Sequence, residues 1–190
     1  MEVINLIAHI RNINGVEEQS LQEHCHETAV LSGRYASSIG AENIGTLQGK
    51  LHDAGKIPQS FQDYIRNISN AKRGDIDHSY AGAKYICSFA ESADAAKYHD
   101  ISRLIAHTII SHHGLHDWID GNNKDYCAAR IQKTEGYDQI LAHLEEIVSD
   151  DEILFLLEHA AEEYNVIEAK IRKLSARSKI AYTFYLGMLE

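Results

Sequence analysis

The sequence predicts an all-α protein, on three observations. Hydrophobic residues make up 44% of the 190 positions, with Ala, Leu, Ile and Glu abundant and one proline, Pro58. Apolar residues recur at spacings of three and four in most segments, the period of a buried helix face. No stretch of useful length alternates apolar and polar residues as a half-buried strand does.

The first helix opens at Ser20, which with Glu23 forms a capping box. It runs to about Gly40, a suitable C′ residue. Leu21, His24, Thr28, Leu31 and Tyr35 share a face, which places His24 inward. His26, about 200° further round the helix, faces away.

The second helix covers about residues 41–54, with Ile44, Leu47, Leu51 and Ala54 as its stripe and Gly55 as its stop. His52 and Asp53 fall in its last turn. A carboxylate is unfavourable at the negative end of a helix dipole. A metal or Lys56 would resolve that conflict.

Pro58 sits at a first helical position and opens a helix through Phe61, Tyr64, Ile65 and Ile68. Ser69 to Asp77 is a polar loop. His78 begins a helix to Ala90, and another helix spans about 98–113, with Ile101, Leu104, Ile105, Thr108 and Ile109 leading to His112 and His113. Residues 114–124 form a loop holding the only tryptophan, Trp118, and 125–147 and 150–189 read as helices. There is no internal repeat and no low-complexity tract.

The length suits one domain, 1–190. No apolar run reaches the roughly 20 residues that span a bilayer, and the N-terminal segment lacks a signal-peptide pattern. Cys25, Cys87 and Cys127 are odd in number and share no close spacing. They fit free thiols, so a cytoplasmic location is expected. The formal net charge of −10 excludes a protein that coats nucleic acid through bulk charge. It does not exclude a nuclease, because bound divalent ions add positive charge locally.

Candidate chemistry lies in His24, the pair His52-Asp53, His78 and the pair His112-His113. Any one of these has an ordinary structural explanation: a hydrogen-bonded core histidine, a capping pair, a chance doublet. Together, each on an inward stripe or at a helix end, they suit a dinuclear metal site. Phosphodiester hydrolysis at such a site uses two cations about 3.5–4 Å apart. Asp53 suits a bridge, since its two oxygens serve two ions. His24 and His52 would serve one ion, and His78, His112 and His113 the other. Lys56 would hold a phosphate oxygen or stabilise the leaving group. His9, His26, His99, His107, His116, His143 and His159 are assigned to surface or packing.

The same residues resemble a known family. The order His, His-Asp, His, His-His is similar to the HD superfamily of metal-dependent phosphohydrolases. The local wording resembles the CRISPR-associated HD nuclease, the nuclease part of the type I helicase–nuclease. The matching stretches are Gln19-Ser20-Leu21 leading to His24; Leu51-His52-Asp53-Ala54-Gly55-Lys56 with Phe61-Gln62-Asp63-Tyr64; Asp77-His78-Ser79 with Ala81-Gly82-Ala83; and His112-His113-Gly114-Leu115 with Asp117. They cover roughly residues 19 to 118, and the tail from Ala181 to Glu190 resembles the helix before that family's last metal-binding aspartate.

The resemblance implies a compact, all-α HD-domain fold and, as cofactors, two divalent ions (manganese, nickel, cobalt, iron or magnesium). It implies hydrolysis of single-stranded DNA in CRISPR interference, with the helicase portion and the surveillance complex as partners, and no membrane association. It also implies a final aspartate beyond Glu190, so a truncated nuclease domain without its helicase part is expected.

Other features stay open on sequence alone. Lys170, Lys173 and Arg177, with Arg172 and Lys179, form either a solvated stripe or a phosphate or helicase-docking track. Lys72 and Arg73 are candidates for a DNA backbone or a plain surface loop. Trp118 and Phe61 would stack on an unpaired base or pack in the core.

Two rival functions accompany the nuclease reading. One is an HD phosphohydrolase acting on nucleotides or cyclic dinucleotides. The cyclic-dinucleotide branch is weakened because Gly136-Tyr137 is followed by Asp138 rather than proline. The other is a catalytically incomplete docking module holding one metal through His78, His112 and His113.

Overall fold

The central element of the computed structural model is a ten-residue helix, α2 (Glu42–Leu51), with neighbours on three sides. It packs on α1 (Leu21–Ala36), α4 (Ala81–Ser111) and α7 (Asp150–Ser175). Between these lie α3 (Gln59–Ile65), α5 (Tyr126–Arg130) and α6 (Tyr137–His143). The structure describes residues 5–12, 15–72, 74–114, 119 and 122–175. Arg73, His116, Asp117, Trp118, Arg177, Lys179 and the tail lie outside the described residues.

The expected stripe of α2 is the observed one: Ile44, Leu47, Leu51 and, just beyond, Ala54 are all buried. No residue of α2's own start caps it. Glu163 of α7 does so from across the core, accepting from the backbone nitrogens of Asn43 at 2.9 Å and Ile44 at 3.1 Å. A carboxylate at a helix N-terminus also meets the positive end of the dipole. Lys50, itself buried, pairs with Glu152 of α7 at 2.8 Å. These two links hold α2, and the His52-Asp53 pair at its end, against α7.

The Ser20 cap forms as expected, its hydroxyl accepting from the Glu23 nitrogen at 3.1 Å. The inward face of α1 differs from the expected one. Cys25, Ala29 and Gly33 are buried below Leu21, while Leu31 and Tyr35 stand 51% and 74% exposed. The reason is the closeness of α2. A Cβ on Gly49 would lie 2.4 Å from the Ala29 Cα, so only small residues fit the crossing. Large apolar side chains are left outside. The α1 chain then tightens into a 3₁₀ turn, Ser37–Ile39, that ends at Gly40 with φ of 80°.

The body of the molecule is helical, but the expectation of no strands needs correction. β1 (Ile7–Asn12) and β2 (Val16–Ser20) form an antiparallel hairpin ahead of α1. Neither strand alternates cleanly. Val16 to Ser20 is polar and largely exposed, and Leu6, just before β1, is buried in succession with Ile7 and Ala8. That run reflects a register shift between Ile7 and His9, which leaves Ala8 as the extra residue of a bulge.

Three helix boundaries also move. α3 stops at Ile65, and Ile68 is 70% exposed. The two helices expected over 78–90 and 98–113 run together as α4, with a break at Asp94 (φ −163°, ψ 93°). Asp94 caps the second half through the Lys97 nitrogen at 3.1 Å. Residues 125–147 form α5, α6 and a 3₁₀ turn rather than one helix. No helix among the described residues is long and apolar enough to cross a membrane.

Candidate metal centre

Asp53 follows α2 with φ −108° and ψ 16°, the bridge region in which many active-site residues sit. Its side chain is 3% exposed. One carboxylate oxygen, Oδ2, lies 2.9 Å from His24 Nε2, 3.1 Å from His52 Nε2 and 2.8 Å from Lys56 Nζ. The other, Oδ1, lies 3.6 Å from His112 Nε2 and 3.9 Å from His78 Nε2, and has no hydrogen-bond partner among the described residues. His113 Nε2 is 2.6 Å from His78 Nε2. The five candidate histidines read from the sequence therefore gather around the sixth candidate, the Asp53 carboxylate.

Local backbone explains the aim of the rings. His52 is the C-cap of α2, and its Nδ1 is 2.9 Å from the Gly49 carbonyl. His112 is the C-cap of α4, with Nδ1 2.5 Å from the Ile109 carbonyl. A carbonyl only accepts, so each Nδ1 carries the proton and each Nε2 presents a lone pair. These lone pairs face a carboxylate, which also only accepts. Acceptors turned toward one another in a buried setting require a proton or a cation between them. Metal-binding histidines are oriented in this way by a carbonyl on the far nitrogen.

His78 arrives from the loop before α4. Its segment is pressed onto Gly55, where a Cβ would lie 2.0 Å from the His78 carbonyl oxygen. Phe61 packs edge-on against the His78 ring, with centroids 5.1 Å apart, and is 5% exposed. Its role is core packing behind His78, not a stacking platform. Asp77 anchors the same loop. It accepts from Arg130 at 2.7 Å, from the Ser79 nitrogen and hydroxyl at 3.2 and 3.1 Å, and from Lys133. The cations of α5 and the chain after it thus fix the segment that carries His78.

The electrostatics favour the ligand forms. Burial alone would raise the Asp53 carboxyl, but the imidazoles of His112, His24 and His52 gathered around it outweigh that and hold the group well below the usual carboxylate range. Burial, reinforced by neighbouring cations and imidazoles, lowers His113 to about 4 and also lowers His78 and His9. Those three imidazoles are neutral at pH 7, the form in which histidine binds metal.

Several placements differ from the sequence reading. Lys56 is 5% exposed, and its ammonium contacts Asp53 and, at 3.3 Å, the Ala8 carbonyl. It positions Asp53 rather than reaching outward for a phosphate. Lys72 is exposed, its backbone nitrogen bonded to Asp75, and it makes no hydrogen bond or ion pair with the cluster. Arg73 and Trp118 lie outside the described residues. His26 is exposed, as its helical phase requires. His9, assigned to surface or packing, is exposed; it also meets His24 edge-on at 4.6 Å and, with His24 and Asp53, offers ligand atoms within 4.8 Å of one another. Its only sequence signal was a histidine at the end of a short apolar run.

Residues 21–175 match the family model described as HD domain. The chain belongs to the HD domain family. No curated protein matches the chain. The match takes in α1 through α7 and all six residues of the candidate cluster. HD domains bind divalent metals and act as metal-dependent phosphohydrolases, and the His/Asp cluster is the place in this one where that chemistry fits. The buried, partnerless Oδ1 of Asp53 is the observation that favours a cation there.

Proposed function

We propose that this HD domain is a nuclease that hydrolyses phosphodiester bonds of single-stranded DNA in CRISPR interference. The observation that carries the reading is the convergence on Asp53 of four motifs whose local wording resembles the CRISPR-associated nuclease. The openness of the cluster supports a polymeric substrate. His24, His78 and His112 each keep 19% of their side-chain surface above a carboxylate that keeps 3%. A strand can lie across such a ring, whereas a mononucleotide is usually enclosed in a concave pocket.

His24, His52 and Asp53 Oδ2 would hold one divalent ion. His78, His112, His113 and Asp53 Oδ1 would hold the other. When bound, the pair supplies positive charge for the phosphate and lowers the pKa of the attacking water. Asp53 would contribute one oxygen to each position. Lys56 fixes Asp53 from below, and the Gly49 and Ile109 carbonyls keep Nε2 of His52 and His112 free to bind. Manganese, nickel, cobalt, iron and magnesium are the candidate ions. The partners that follow from the reading are a helicase portion and a surveillance complex that present the strand, in the cytoplasm.

The test is cleavage of circular single-stranded DNA by the purified chain with manganese, beside Asp53→Ala. Nicking that the variant loses supports the reading. Release of phosphate from mononucleotides with circular DNA left intact would replace it with a nucleotidase.

A further inference from the structure

We infer that His9 is a ligand of the metal position formed by His24 and Asp53, an inference that rests on the metal-dependent reading above. It lies outside the stretch that matches the family, on a hairpin that precedes α1. Three observations converge on it.

The first is reach. One nitrogen of His9, one of His24 and one oxygen of Asp53 all lie within 4.8 Å of one another. Two nitrogens bound to one ion at opposite sides would be about 4.2 Å apart. That span lies inside the 4.8 Å within which the three ligand atoms fall. The rings of His9 and His24 meet at 78°, so the two do not stack and close the position to an ion between them.

The second is the bulge. Ile7 pairs with Ser20 and His9 with Gln19, so Ala8 is the extra residue on β1. In a strand without a bulge, His9, two residues on, would fall on the same side as the buried Ile7. Bulges of this kind re-aim a side chain, and they are over-represented beside active sites.

The third is how firmly the bulge is held, and by what. Gln62 of α3 donates to the Ile7 carbonyl at 3.1 Å and accepts from the Ile7 nitrogen at 3.0 Å. Lys56 donates to the Ala8 carbonyl at 3.3 Å and at the same time to Asp53 at 2.8 Å. The ammonium that fixes the central carboxylate therefore also fixes the backbone that aims His9. A surface histidine of no consequence needs no such coupling. The first position then has four protein donors: His9, His24, His52 and Asp53.

The test is cobalt binding to the full chain after chelator treatment, followed by visible absorption and by metal analysis after gel filtration. His9→Gln and His9→Ala are compared with wild type, with circular dichroism as the check of folding. Wild type is expected to take up two ions. Both variants should keep one ion unchanged and bind the other roughly tenfold or more weakly, with a changed ligand-field band. Variants that bind both ions with wild-type affinity and spectrum would overturn the inference and leave the metal reading intact. Variants that weaken both ions equally would also overturn it, because His9 would then act through the fold. Wild type that binds no cobalt would overturn the metal reading itself.

Discussion

Replacing Lys56 with Met tests the arrangement at its most buried point. The substitution keeps the length of the stem and removes the ammonium. Both partners of the Lys56–Asp53 contact are shielded, at 6% and 3% side-chain exposure, and their atoms are 2.8 Å apart. Removing one member of a buried ion pair leaves an uncompensated charge and costs about 3–5 kcal/mol. In a chain of this size each kcal/mol moves the unfolding midpoint by about 2–4 °C. The metal-free variant is therefore expected to melt roughly 6–20 °C below wild type. Bound cations supply the missing positive charge to the same carboxylate. The variant should accordingly gain more from manganese than wild type does. The assay is thermal unfolding by circular dichroism for both proteins, in chelator and in manganese. A drop below about 1 kcal/mol in chelator, the scale of an exposed pair, would refute the reasoning. So would equal stabilisation of the two proteins by the metal.

Other outcomes follow from the same structure. Acid should destabilise the metal-free chain in two stages. His113 is lowered from 6.5 to about 4, and His78 and His9 are lowered too, so the unfolded chain binds protons that the folded chain refuses. Stability should be full above pH 6.5 and fall between 6.5 and about 4. The depressed Asp53 adds a further loss below about 3.8; urea midpoints against pH check both, and a midpoint that rises from pH 7 to 5 would contradict them. Gly49→Ala should cost about 1–3 kcal/mol or more, because its Cβ would meet the Ala29 backbone at 2.4 Å; chemical denaturation reads it. Asp77→Asn should weaken metal binding about 10–100-fold while the ligands stay in place, since it loosens the loop that carries His78; isothermal titration measures the change.

Much of the helical plan was legible because local rules and burial agree there. The Ser20 cap and the α2 stripe follow from residue type and spacing. The cluster of six candidate residues was legible because four short motifs stand in family order, and residues that gather at one buried carboxylate must point inward whatever the exact helix ends. The phase of α1 was not legible. It depends on how near α2 comes, which Gly49 and Ala29 decide jointly from different helices. The hairpin was hidden for a related reason. A bulge at Ala8 breaks alternation, and β2 is too polar to show a buried face. His9 was lost with the hairpin. The charge that Lys56 brings to Asp53 was legible from the helix end it serves, but sequence spacing could not show that its ammonium also reaches the Ala8 carbonyl of β1.

The most direct test of the central claim is the number of manganese ions bound per folded chain, for wild type and for Asp53→Asn. The account holds that one buried carboxylate serves two ions through its two oxygens. It predicts two ions in wild type and markedly weaker binding of both in the variant, with the fold retained by circular dichroism. Two ions bound with unchanged affinity by Asp53→Asn would contradict it.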